Sequence, residues 1–245
     1  MKPELLALHS LQNINYSLSK YRNLLYLVFK EVVNQMDFNH FRNLLPKIVK
    51  QPLGGQNSQF KLAPKERVKP SLQFISEINP KKAAVLALFY PNNENETCFL
   101  LTLRASYKGT HSAQISFPGG KFDKKDTSLK QTALRESNEE IGINAHSVLI
   151  FKQLTNVFIP PSNFMVTPFL GLLENTPYFT VNHEVEALIP VKLAHLLNSS
   201  SVSTTILNTS YAKNIEVPCF KLNNYVVWGA TAMMLSEIRD LLKQF

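Results

Sequence analysis

The sequence predicts an α/β (α+β) fold, and three stretches predict it. Residues 83–90, AAVLALFY, are a continuous apolar run, the signature of a strand buried on both faces. Residues 91–96, PNNENE, read as a turn, and residues 97–103, TCFLLTL, as a second strand, so the pair resembles a hairpin. Residues 128–141 carry apolar side chains at helical spacing and stop at Gly142.

The other elements follow along the chain. Residues 1–35 are rich in Leu, Asn and Ser and end in YRNLLYLVFKEVV, a short amphipathic helix. They read as an N-terminal extension of unknown role, with Met36 a possible alternative start. Asp37 is placed to cap a helix whose apolar positions are Phe38, Phe41, Leu44 and Leu45. Pro46 is expected to end or kink that helix. Residues 47–70 read as a linker or extended arm, because Pro52, Gly54, Gly55, Pro64 and Pro70 interrupt any period. Five lysines and Arg67 there face only Glu66, which suits a solvated loop or a basic arm over an anion. Residues 36–80 are thus a helix plus basic linker, and residues 81–245 the main domain.

Within that domain residues 104–116 read as a polar loop. Residues 146–154, 165–173 and 178–181 are strand candidates, residues 190–197 a short helix, and residues 202–207 with 214–222 a late hairpin. Residues 231–245 close the chain as a helix with Met234, Ile238, Leu241, Leu242 and Phe245 on its apolar side.

Composition narrows the class. The 245 residues suffice for one substantial domain, and the 44% apolar content is that of a globular protein. The net charge of +8 suits a polyanionic partner, yet no Lys/Arg block or aromatic-basic interleaving favours nucleic acid. Cys98 and Cys219 have no metal-ligand spacing and read as small buried hydrophobes in a reducing compartment. The apolar run Leu24 to Phe29 is too short to span a bilayer and no signal-cleavage pattern follows it. The last three residues are not a peroxisomal address. The expected setting is cytoplasmic, without membrane contact.

The chemistry concentrates in residues 117–143, FPGGKFDKKDTSLKQTALRESNEEIGI. Thr127 or Ser128 can cap the helix there, and Leu129, Ala133, Leu134 and Ile141 give it a core-facing stripe. Glu136, Glu139 and Glu140 fall within an arc of roughly 100° at helical pitch. Like charges at these spacings cost an isolated helix about 0.2–0.5 kcal/mol per pair. A solvated acidic face is the plain account. A hard divalent cation would reverse the sign, and such a cation shares its shell with phosphates.

These residues resemble the Nudix box, G-x5-E-x7-R-E-U-x-E-E-x-G-U, where U is a bulky aliphatic. Gly120 matches its first glycine, and Arg135, Glu136, Glu139, Glu140, Gly142 and Ile143 its end. Ser137 stands where an aliphatic is usual. Arg135 lies one residue further from Gly120 than in the general motif, with Asp126 at the first acidic position. The longer spacing and the string GGKxDxxD resemble the coenzyme A diphosphatase branch. So does the upstream motif LLTxR(S/A)x3Rx3Gx3FPGG, matched from Leu100 to Gly120 except for Gly109 and Ala113. A weaker echo lies at Trp228, Gly229, Ala230 and Thr231.

The resemblance implies a Nudix fold, a mixed β-sheet sandwiched between helices. It implies a metal-dependent pyrophosphohydrolase using Mg²⁺ or Mn²⁺, with coenzyme A and its derivatives cleaved to 3′,5′-ADP and 4′-phosphopantetheine. Glu136 and Glu140, four apart, are the first choice for metal ligands, and Glu139 is a third ligand or the base. The Gly120 carbonyl also reaches toward the metal. Arg135, by resemblance, orients a carboxylate rather than touching substrate. Glu184 is the best candidate for a further carboxylate, Glu186 the spare, and Glu174 less favoured. Arg104, Lys108, His111, Gly119 and Lys121 are the substrate-binding candidates. His183 adjoins Glu184, and residues 158–162 form an apolar loop that could line a pocket. The expected partner is a small-molecule substrate, with a homodimer left open. The competing readings are a Nudix enzyme acting on another nucleoside diphosphate derivative (NADH, ADP-ribose or a nucleoside triphosphate) and a non-catalytic nucleotide-binding Nudix protein.

Overall fold

The computed structural model describes residues 37–105, 114–207 and 214–245, apart from the side chain of Leu72. The expected helix in residues 1–35 lies outside them. Asp37 caps helix α1 (Phe38–Lys50), its carboxylate accepting from the Asn39 and His40 N–H groups. The helix runs through Pro46 instead of ending there. Leu45 and Ile48, buried on either side of the proline, hold both halves against the same core.

Residues 47–70 are not a loose arm. They hold helix α2 (Gly55–Gln59) and a 3-10 turn (Phe60–Leu62), with Ser58, Gln59, Leu62 and Ala63 buried. Four donors (the Gly55 and Thr155 N–H groups, Gln59 Nε2 and Thr155 Oγ1) surround the buried Glu237 carboxylate. Lys61 pairs with Asp240 and Lys65 with Glu216. Tertiary polar contacts fold this glycine- and proline-broken stretch where no apolar period announces it. Helix α3 (Leu72–Ile78), capped by Ser71, follows.

Strand β1 (Lys81–Pro91) is the spine of a mixed sheet. It pairs in antiparallel fashion with β2 (Thr97–Arg104), giving the expected hairpin with Phe89 opposite Phe99. Its first half pairs with the short β4 (Gly119–Lys121). Its other edge runs parallel to β7 (Phe164–Leu172). The supposed loop before Phe117 contributes β3 (Ile115–Ser116), which pairs with β2. β5 (Leu149–Gln153) and β6 (Val157–Ile159) pair with β7, and β8 (Val185–Lys192) with β2.

Alternation along β1 sorts the core into two halves. Ala84, Leu86, Leu88 and Tyr90 face helix α4 (Leu129–Ile141) through Ala133 and Ile141. Ala83, Ala87 and Phe89 face α1 and the closing helix α6 (Gly229–Leu242). The sheet is sandwiched between these helices, and every residue from Leu86 to Pro91 is buried. Burying each of Leu86, Leu88 and Phe89 contributes about 1.5–3 kcal/mol. The β9 (Val202–Leu207) and β10 (Ile215–Leu222) hairpin forms as expected and is joined by β11 (Tyr225–Trp228) in a second sheet.

Two other expectations are corrected. Residues 178–181 are not a strand. The Thr180 N–H donates to the Ile141 carbonyl and the Asn182 N–H to the Glu140 carbonyl, so this stretch pairs with the end of α4 instead of a sheet. The helix expected at 190–197 is confined to α5 (Leu193–Leu197), because residues 190–192 complete the ladder of β8 on β2. Cys98 and Cys219 are buried and unpaired with each other, and burial pushes the Cys98 thiol up to about 11. No described helix is long and apolar enough to cross a membrane.

Candidate active site

Helix α4 starts where Ser128 accepts from the Gln131 N–H and ends where Gly142 takes a left-handed φ of 71°. Between these caps it packs on β1 and β4, which fixes the face carrying its acids. Ser137, the departure from the usual aliphatic, is fully buried on the core side.

Gly119 and Gly120 let β4 run close under that helix. A Cβ on Gly119 would meet the Ala84 carbonyl at 2.3 Å, and its φ is 146°. A Cβ on Gly120 would meet the Glu136 carboxylate at the same distance, 2.3 Å. The glycines thus let main chain and carboxylates share one small space. The Gly119 N–H donates to Glu140 Oε2 at 2.9 Å.

Arg135 organises the outer half of the cluster. Its Nε and Nη2 grip Asp126 at 2.9 Å each, a fork-on-carboxylate pair. Its Nη2 also reaches the Lys121 carbonyl at 3.2 Å. Its Nη1 donates to Glu136 at 2.9 Å and to Glu139 at 3.2 Å. The Arg135 guanidinium holds the Asp126 carboxyl well below the usual carboxylate range, helped by the Asp123 N–H and Thr132. Asp126 was legible as the first acidic position of the box, but not as the anchor of Arg135. The signal is the buried Thr132 hydroxyl, six residues on, which also donates to it.

Arg104 organises the inner half. It stands at the end of β2, where the ladder with β8 is broken by a bulge: Leu103 faces Ala187 and Arg104 faces Val185, leaving Glu186 the extra residue. Glu186 is exposed there. Arg104 Nη1 lies 3.1 Å from Glu140 Oε1, and Nη2 lies 3.2 Å from Glu184 Oε2. The Ala105 N–H also donates to the Glu184 carbonyl. Glu184 thus joins the α4 acids across a wide gap in sequence, whereas Glu174 is engaged far off by Arg42.

The acids differ in setting. The Glu140 side chain is 4% exposed, and burial pushes its carboxyl up to about 7 against the pull of the Gly119 N–H and Arg104. Glu136 is also raised, first by burial, with Arg135 opposing and Glu139 and Glu184 adding repulsion. Glu139 is 54% exposed. His183 and the Lys121 side chain lie exposed beside this region. Lys108 and His111, with Gly109 and Ala113, fall outside the described residues.

Among the described residues no three acidic, histidine or cysteine side chains converge on one point. Glu136 and Glu139 are turned onto Arg135, and Glu140 and Glu184 onto Arg104. The donor chemistry nonetheless fits a hard divalent cation of the Mg²⁺ or Mn²⁺ kind, since every candidate is an oxygen, from a carboxylate or from the Gly120 carbonyl. An apolar cavity of about 420 Å³ between α1, α5 and the end of α6 is lined by none of these residues.

The sequence matches a known family. The NUDIX domain model matches residues 80–202, half of the chain. The protein called uncharacterized Nudix hydrolase NudL in Yersinia pestis (strain Pestoides F) is 30% identical over 181 residues, covering 74% of this chain and 88% of that one. The chain therefore belongs to the Nudix hydrolase family, and its mixed sheet between helices is the Nudix fold. Solved structures with likeness include a C. elegans Ap4A hydrolase binary complex, 25% identical over 46% of this chain and 80% of that one, with a TM-score of 0.39. The M. smegmatis Nudix hydrolase RenU is 15% identical over 75% of this chain and 94% of that one, with a TM-score of 0.48. The family assignment rests on the domain match and the sequence relative, not on these superpositions.

Proposed function

We propose that this chain is a metal-dependent pyrophosphohydrolase that cleaves coenzyme A and its derivatives to 3′,5′-ADP and 4′-phosphopantetheine. The observation that carries the reading is the meeting of two motifs at one carboxylate. Glu140, from the box helix, is held by Gly119 of β4 and by Arg104 of the upstream motif. The longer box spacing and the GGKxDxxD string support coenzyme A as substrate. Nudix hydrolases generally use divalent ions such as Mg²⁺ or Mn²⁺.

Glu136, Glu140 and Glu184 would hold the cation with the Gly120 carbonyl, and Glu139 is a further ligand or the base. When bound, the cation supplies Lewis-acid polarisation of the phosphoryl oxygens and a more acidic water. The chain's own part is positional. Arg135, locked by Asp126, keeps Glu136 and Glu139 aimed at the same space. In this reading Glu139, the most exposed of the three box glutamates, takes the proton from the attacking water. The water oxygen bonds to phosphorus as the anhydride P–O bond breaks. Lys121, Arg104, Lys108 and His111 are the candidates to balance charge on the leaving phosphate.

A second reading, another nucleoside diphosphate derivative, is favoured by Gly109 and Ala113, which depart from the upstream motif. The test is a panel of coenzyme A, NADH, ADP-ribose and a nucleoside triphosphate, with metal omitted and restored and products separated by liquid chromatography. The expected outcome is metal-dependent release of 3′,5′-ADP from coenzyme A. Preference for any other member of the panel overturns the coenzyme A assignment.

A further inference from the structure

Arg104 is 20% exposed and bridges two carboxylates that arrive from different elements. Glu140 comes from α4 and Glu184 from the turn before β8. The Glu140 end is the stronger, since that carboxylate is nearly buried, whereas Glu184 is half-exposed and its pairing is screened. Both carboxylates are candidates to hold a cation, and each has an oxygen occupied by the guanidinium instead. The β-bulge opposite Arg104 aims the side chain at this spot.

We propose that Arg104 is an internal counter-ion of the metal site. It holds Glu140 and Glu184 together in the metal-free chain and competes with the divalent cation for the same oxygens. This rests on the metal-ligand reading above and goes beyond it, because Arg104 then limits metal affinity instead of building it. Removing one partner of a buried pair leaves the other charge unpaired, so the metal-free chain needs Arg104 for stability. The cation relieves that need when it arrives, and the guanidinium is released from its two acids.

The test compares Mn²⁺ binding by calorimetry, and thermal midpoints with and without Mn²⁺, in the wild type, Arg104→Gln and Glu140→Gln. Arg104→Gln is expected to bind Mn²⁺ about tenfold more tightly, the order of effect of one charge-assisted bond. Its midpoint is expected to fall below wild type without metal, and the gap to narrow in saturating Mn²⁺. A merely structural arginine would lower both midpoints equally and leave affinity unchanged or weaker. That result, with Glu140→Gln losing Mn²⁺ binding, overturns the counter-ion inference alone. Unchanged Mn²⁺ binding in Glu140→Gln overturns the metal-ligand reading itself. Should Arg104→Gln not fold, Arg104→Lys keeps the charge but loses the fork. It should tighten binding in the same direction by a smaller factor, and weaker binding there also overturns the inference.

Discussion

Asp126 and Arg135 are the pair on which the acid cluster leans. Asp126 is buried and held below the ordinary carboxylate range chiefly by the guanidinium. A carboxylate depressed in this way adds stability that is complete above its unfolded value of 3.8 and is lost as pH falls through the lower folded value. Asp126→Asn should therefore cost about 3 kcal/mol at neutral pH, as breaking one side of a buried pair does. It should also flatten the acid limb of the stability profile, read by urea denaturation from neutral pH to about pH 2. An Asn variant with wild-type acid sensitivity would contradict the pairing. Turnover should fall about 10- to 100-fold, because Arg135 would no longer hold Glu136 and Glu139 in place. The Arg135–Glu136–Glu139 spacing was legible along one helix. Arg104's partners were not, because Glu140 and Glu184 lie 36 and 80 residues away.

At the scale of elements, caps wrote the boundaries of α4 into the sequence. Ser128 opens it and Gly142, in a left-handed conformation, closes it. Residues 178–181 carry the same apolar and β-branched content as a strand, but their partner is the end of α4. Content alone does not name a partner. The segment of residues 47–70 hid its helix for the converse reason, since Glu237 and Asp240, far along the chain, supply its contacts. The β4–α4 contact yields a sharp prediction. Gly120→Ala would push its methyl onto the Glu136 carboxylate, the movable end of a side chain, whereas Gly119→Ala would strike the Ala84 main chain. Gly120→Ala should keep most of the thermal stability while losing most of the turnover, and Gly119→Ala should lose both. Equal melting temperatures for the two variants would show that β4 does not pack as described.

For the whole molecule, one sheet brings the two motifs together. β1 carries β4 with its two glycines on one edge and is backed on both faces by helices, so α4 packs over a buried floor. The two-faced burial was legible because β1 is apolar at every position from Ala83 to Tyr90. The second sheet and its place beside α6 were legible only as a hairpin. The central claim of the proposed function is that Glu140, buried between Gly119 and Arg104, governs turnover. The most direct test is turnover of coenzyme A by Glu140→Gln, with circular dichroism as the check on folding. The expected result is a folded protein whose turnover falls by more than the roughly 100-fold that loss of a partner behind the ligands costs. Wild-type turnover in that variant would contradict it.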